Sequence, residues 1–236
     1  MESVRFFICY AKSNALAQTN GGNMHLSARF SDQEFNKLKA LLNIYEWGLK
    51  TIMTKFEIIH EDLVTFHTNH AIDQVRCRLK EPLSIAQKLD KMGVDITVEN
   101  AKNLIKDIAG VRIITPFTKD IFYIVNLIRY MPDVTILEEK NYISHPKDSG
   151  YRSYHLIVEV PIFYSGKMDF VPIEIQIRTE AMNFWASLEH KARYKYNDYI
   201  PEYLCEELVA ISNVLSEMDH RMFLINEIIG IIQKDI

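Results

Sequence analysis

Several features that would direct interpretation elsewhere are missing from this chain. No apolar run approaches the ~20 residues that a membrane-spanning helix requires. Its 27 lysines and arginines are outnumbered by 31 acidic residues, so an extended nucleic-acid interface is not expected and any polyanion must be met by a local basic cluster. Only three cysteines occur, Cys9, Cys77 and Cys205, odd in number, far apart and without metal-type pairing. They are expected to be reduced thiols in a cytoplasmic protein. A signal peptide is not expected either, because the N-terminal apolar core is short and Glu2 precedes it. The run TNGGN at 19–23 instead suggests a flexible leader over residues 1–24. There is no internal repeat and no low-complexity tract.

What is present fits one sizeable domain with helical extensions. The chain has 236 residues, of which 48% are hydrophobic and 25% charged. Ser31 and Glu34 form a capping-box pattern. Behind it, Phe35, Leu38, Leu42, Tyr45, Leu49, Ile52 and Phe56 recur at spacings of three and four, predicting a long helix with Gly48 as a weak point. A second seam, Leu204, Leu208, Ile211, Leu215, Met218, Met222, Ile225, Ile229 and Ile232, predicts another over 201–236. Two such stripes need partners, and the second suits oligomerisation. Between the helices the pattern alternates. Helices are predicted at 82–92, 98–106, 120–130 and 180–196, and strands at 111–115, 134–138, 156–162 and 171–177, with a hairpin turn at 165–166. The expected class is α+β: a mixed sheet of about five strands flanked by helices, with the main domain over 25–200.

The segment VPIEIQIRT at 171–179 is the most informative. As a strand it faces Val171, Ile173, Ile175 and Ile177 one way and Glu174, Gln176 and Arg178 the other. An acid, an amide and a guanidinium on consecutive outward positions suit phosphates and a metal ion. Asp107 precedes a strand, and carboxylates at adjacent strand lips are a common way to hold Mg²⁺. Arg78 and Lys80 project together ahead of Ser84 at a helix start, which makes an anion site. Lys147, Gly150, Tyr151, Arg152 and His155 form a loop in which glycine allows close approach and tyrosine offers a flat face for a base. Each taken singly has an ordinary structural alternative: a solvated basic edge strand, a turn with a packed tyrosine, a wet strand face.

Jointly they do not. R-x-K-x-x-x-S at 78–84, DIAGVR at 107–112, GYRSYH at 150–155, EIQIRT at 174–179 and FWASLEHKARYKY at 184–196 occur in one order and at compatible spacing. This resembles the synthetase domain of the RelA/SpoT family, in particular its small single-domain alarmone synthetases, over residues 35–200. The resemblance implies a nucleotidyltransferase-like synthetase fold. It also implies transfer of the β,γ-diphosphate of ATP to the 3′-hydroxyl of GTP or GDP, giving AMP and pppGpp or ppGpp. By matched position, Arg78 and Arg112 would sandwich adenine, Lys80 and Ser84 would hold ATP phosphates, and Asp107 and Glu174 would be the catalytic pair carrying Mg²⁺. Tyr151 would be the guanine platform, with Lys147, His155 and Gln176 orienting the acceptor. A homotetramer is expected by the same analogy, and neither a hydrolase nor a ribosome-sensing region is. Another nucleotidyltransferase, or a silent binder of nucleotides or single-stranded RNA, is the alternative.

Overall fold

The computed structural model describes residues 7–10, 30–66, 70–196 and 199–232. Its elements run β1 (Phe7–Tyr10), α1 (Asp32–Phe66), β2 (Gln74–Leu79), α2 (Pro82–Lys91), α3 (Val98–Leu104), β3 (Ala109–Thr115), α4 (Thr118–Arg129), β4 (Thr135–Asn141), β5 (Tyr154–Tyr164), β6 (Lys167–Thr179), α5 (Glu180–Lys195) and α6 (Glu202–Ile232). The strands form one mixed sheet in the order β1-β2-β3-β6-β5-β4. Parallel β3 and β6 lie at its centre, with β2 antiparallel to β3 and β5 antiparallel to β6. Ser165 and Gly166, at φ 49 and 75°, close the β5–β6 hairpin with the two positive dihedrals that match strand twist.

The sheet has six strands where about five were expected. The extra one, β1, falls within the segment read as a leader, whose remaining residues lie outside the described ones. It stands parallel to β2 with Cys9 opposite Cys77 in register. Cys77 is disulfide-bonded, which corrects the expectation of three reduced thiols. Cys205 is free and exposed.

Helix α1 obeys its seam. Leu38, Leu42, Tyr45, Leu49, Ile52, Phe56 and Leu63 are all buried and join Val158, Val160, Ile173 and Ile175 of the sheet in one core. Gly48 does not break the helix. A Cβ there would meet Val171 at 3.1 Å, so glycine lets α1 lie close on β6. The capping box closes only in part: Ser31 Oγ accepts from Glu34 N at 3.3 Å, while Glu34 Oε2 accepts from Val98 N at 2.8 Å and so caps α3 instead. Helix α4 adds Ile121, Ile124, Val125 and Ile128 to the same core. With one sheet face sealed by α1 and α4, the alternating pleat sends the polar residues of β2, β3, β5 and β6 to the opposite face.

Helix α6 uses only half of its seam. Leu208 is buried against Trp185 and Ala186 of α5, with Ile211 and Leu215 beside it. Met218, Met222, Ile225, Ile229 and Ile232 are exposed.

Candidate active site

Strand register builds the site before any side-chain contact is considered. One rung crosses the sheet as Arg78 (β2), Gly110 (β3), Glu174 (β6), Ile157 (β5) and Glu138 (β4). The next runs Arg76, Arg112, Gln176, His155 and Lys140. Because residues level with each other across a sheet point to one face, motifs far apart in sequence meet there. Two pockets open on that face. One, of about 150 Å³, is walled by Arg76, Arg78, Gly110, Arg112, Glu174 and Gln176. The other, of about 300 Å³, takes in Lys88, Lys106, Asp107, Lys140, Lys147 and His155 together with Glu174. Glu174 lines both.

At the edge of the larger pocket, Asp107 gathers cations. Lys80 Nζ donates to its Oδ2, Lys88 Nζ donates to its Oδ1 at 2.7 Å, and Arg78 Nη2 stands 3.9 Å away. Burial works against ionisation of Asp107, but the two lysine hydrogen bonds outweigh it and hold the carboxyl below the usual range. Burial also lowers the pKa of Lys80, against the pull of Asp107. In the smaller pocket, burial and then the charges of Arg178 and Arg78 push Arg112 down to about 10, which leaves it a cation at neutral pH. Its Nε is buried with no hydrogen-bond partner.

On the other side a relay fixes Tyr151. Arg178, itself buried, donates from Nη2 to Tyr151 Oη at 2.5 Å and to Gln176 Oε1 at 2.8 Å. His155 Nδ1 lies 3.3 Å from Glu174 Oε1. The carboxylate claims that ring proton, leaving Nε2 to accept from Tyr151 Oη at 2.7 Å. Burial lowers the pKa of His155, so its neutral form dominates. Burial alone would raise that of Glu174, but the His155 hydrogen bond outweighs it and keeps the carboxylate anionic. Lys147 Nζ hangs 5.1 Å from the Tyr151 ring centre and 4.8 Å from that of Tyr142.

Of the expected residues, Arg78, Lys80, Asp107, Arg112, Lys147, Tyr151, His155, Glu174 and Gln176 are brought together. Ser84 is not: it stands exposed on the first turn of α2 and lines neither pocket. Lys88, one turn further along α2, reaches Asp107 instead. The spacing Ser84–Lys88 would have flagged it as sharing a helix face with Ser84. Lys140 and Tyr142 were missed because β4 carries no distinctive pattern. Arg178 was noted on the polar face without a role, and its role became visible only with Tyr151 beside it.

The region found in RelA and SpoT proteins matches residues 77–199 of this chain. The GTP pyrophosphokinase YwaC of Bacillus subtilis (strain 168) is 42% identical over 181 residues, spanning 77% of this chain and 86% of that protein. The chain belongs to the RelA/SpoT family. Its fold agrees: the small alarmone synthetase 2 of B. subtilis superposes with a TM-score of 0.73 at 39% identity, over 80% of this chain and 98% of that one. The small alarmone synthetase 1 of B. subtilis bound to its product pppGpp gives 0.75 at 33% identity, over 81% and 97%. The arginine-walled and lysine-walled pockets therefore sit on a RelA/SpoT synthetase scaffold. No helix among its described residues is long and apolar enough to cross a membrane.

The carboxylates of this RelA/SpoT chain fit a divalent cation. Asp107 and Glu174 line the same pocket, and the charge of Asp107 opposes ionisation of Glu174, as two anions facing each other must. No group of three or more His, Cys, Asp or Glu that could hold a metal occurs among the described residues. Two carboxylates with substrate phosphates and water completing the shell is the habit of Mg²⁺.

Proposed function

We propose that this chain is a (p)ppGpp synthetase, transferring the β,γ-pyrophosphate of ATP to the 3′-hydroxyl of GTP or GDP. The 3′-oxygen forms a bond to the β-phosphorus while the bond from that phosphorus to the α,β-bridging oxygen breaks. AMP leaves, and pppGpp or ppGpp remains. The single observation that carries the reading is that Glu174 walls both pockets, so two nucleotides bound side by side would meet at one carboxylate.

Arg78 and Arg112 are read as the adenine clamp. Planar guanidinium groups that stay charged suit a purine face. Lys80 would pass from Asp107 to the ATP phosphates, with Lys88 as its neighbour; Ser84, exposed on α2 and lining neither pocket, is given no part. Tyr151 is read as the guanine shelf, with Lys147, His155 and Gln176 orienting the acceptor. Asp107 and Glu174 would hold Mg²⁺, which when bound would neutralise part of the crowded phosphate charge. Glu174, kept anionic beside neutral His155, is placed to receive the hydroxyl proton. In-line alignment does the rest, without a covalent intermediate.

The proposal extends to assembly and location. The exposed second half of the α6 seam supports a homo-oligomer, a homotetramer in our reading. A cytoplasmic location is read from the substrates ATP and GTP. The deciding experiment supplies Mg²⁺, ATP and labelled GTP and separates the nucleotides. AMP should appear in step with guanosine pentaphosphate. Release of ADP or free pyrophosphate without any guanosine polyphosphate would remove the reading.

A further inference from the structure

The geometry points to Ser212 of α6 as a positioning residue for the acceptor nucleotide, acting through the loop that carries Tyr151. The inference rests on reading Tyr151 as the guanine shelf. It adds to that reading a residue outside the family match, which ends at residue 199.

Tyr151 can serve as a shelf only if its backbone is held. Within the loop, Gly150 N donates to Lys147 O at 2.8 Å and Lys147 N donates to Tyr151 O at 3.2 Å, so the turn is closed on itself. What fixes this turn in space is α6. Ser212, 4% exposed, donates from Oγ to Gly150 O at 2.5 Å. Gly150 has φ 86°, a left-handed conformation, and a Cβ on it would meet Ser212 Cβ at 3.0 Å and Val209 Cα at 3.2 Å. The helix and the turn are therefore in backbone contact, with no side chain able to come between them. On the other flank of Tyr151, Arg152 Nη2 donates to Asn213 Oδ1 at 3.2 Å.

The helix is registered in turn against the site. Trp185 Nε1 donates to Leu208 O at 2.7 Å, one turn before Ser212, while the Trp185 ring packs on Tyr151 with centroids 6.3 Å apart. Asp219, two turns after Ser212, accepts from Thr179 Oγ1 at the end of β6, the strand that carries Glu174. The inner face of α6 thus joins the Tyr151 turn to β6 and adds little to the main core, which does not include its residues. Two of the bonds α6 makes outside itself, from Ser212 and to Asn213, fall on the residues flanking Tyr151, while Asp219 and Glu227 reach Thr179 and Lys119. The adenine clamp lies across the sheet on β2 and β3, and the bonds of Ser212, Asn213 and Asp219 go to Gly150, Arg152 and Thr179 and not to it.

A selective defect follows. Ser212→Ala removes the bond to Gly150 and leaves a buried carbonyl without that partner. The KM for GTP should rise about three- to tenfold, the range expected for one lost hydrogen bond. The KM for ATP and kcat should stay within about twofold. Asn213→Arg, at an exposed position, sets a second guanidinium against Arg152 and should shift the GTP KM in the same direction. It decides the matter should Ser212→Ala fail to fold. Tyr151→Ala is measured in parallel. If it raises the GTP KM while both α6 variants leave it within twofold, the positioning role is overturned and the shelf survives. Equal rises in both KM values, or a fall in kcat alone, also overturn it. No effect from Tyr151→Ala removes the shelf and this inference with it.

Discussion

The smaller pocket is walled by guanidinium groups, Arg76, Arg78 and Arg112, whereas the larger presents ammonium groups, Lys88, Lys106, Lys140 and Lys147. Arginine offers a planar, permanently charged surface that stacks, and lysine a compact charge on a flexible stem. A pocket of the first kind suits a base, and one of the second suits phosphates. The pockets also differ in how they are held. The arginines rise from paired strands, so backbone register fixes their spacing. The acceptor side depends on a loop, pinned by Arg178, His155 and α6. The donor half is rigid by topology and the acceptor half by hydrogen bonds.

The largest effect should come from the one residue the pockets share. Glu174→Gln retains shape and the contact with Gln176 but removes the charge. Transfer should fall by about a thousandfold or more, as expected when a group that handles a proton and a developing charge is lost. ATP binding and melting temperature should change little. Measuring AMP formation and ATP affinity side by side checks this. Retained turnover would mean that two nucleotides meet elsewhere, and the comparison of pockets would lose its hinge.

A crossed pair of substitutions tests whether the halves are distinct. Arg78→Ala should raise the KM for ATP about tenfold and leave that for GTP alone. Tyr151→Phe should be milder than Tyr151→Ala for GTP, because the ring remains and only the bonds to Arg178 and His155 go. Stacking of a base on an aromatic ring is worth about 1–3 kcal/mol, which sets this scale. Equal losses for both nucleotides in either variant would merge the pockets into one.

The same contrast explains what the sequence disclosed. Alternation in VPIEIQIRT put Glu174 and Gln176 on one face, and the pleat then did what a period of two demands. The α1 seam was equally legible, since burying a Leu, Ile or Phe contributes about 1.5–3 kcal/mol and the pattern had one sheet to satisfy. The α6 seam reads the same in sequence yet is half exposed, because periodicity reports a stripe and not what covers it. Six strands exceeded the expected count because FICY, at four residues, carries too little pattern to announce a strand. In the site, residues embedded in motifs were found. Those acting through a partner were missed, as Lys88 and Ser212 were, or noted without a role, as Arg178 was: they acquire meaning only from Asp107, Gly150 and Tyr151, contacts made across many residues of sequence.

The smallest expected effect is a displacement along the pH axis, and it is confined to the acceptor half. His155 faces Glu174 and Tyr151 through hydrogen bonds, with Tyr142, Gln176, Lys140, Lys147 and Arg178 around it. Burial, with help from Arg178 and Lys147, lowers its pKa despite Glu174. The working form is the neutral imidazole, which donates to Glu174 and accepts from Tyr151. Lowering the pH protonates Nε2, breaks the bond from Tyr151 and loosens the shelf. Because burial postpones that protonation, the acid limb of kcat/KM for GTP should lie below the ordinary histidine range. With ATP saturating, that limb reports the ATP-bound enzyme awaiting its acceptor, whereas the limb of kcat reports the ternary complex. Bound polyphosphate favours the imidazolium, so the kcat limb should lie at higher pH than the kcat/KM limb. Steady-state rates with GTP varied at saturating ATP, from about pH 5 to 8 across the range in which an imidazole titrates, measure both. His155→Gln should flatten this acid limb while the ATP dependence stays as it was. A limb that persists in that variant would assign the titration to another group, and would leave the two halves of the site equally indifferent to protons.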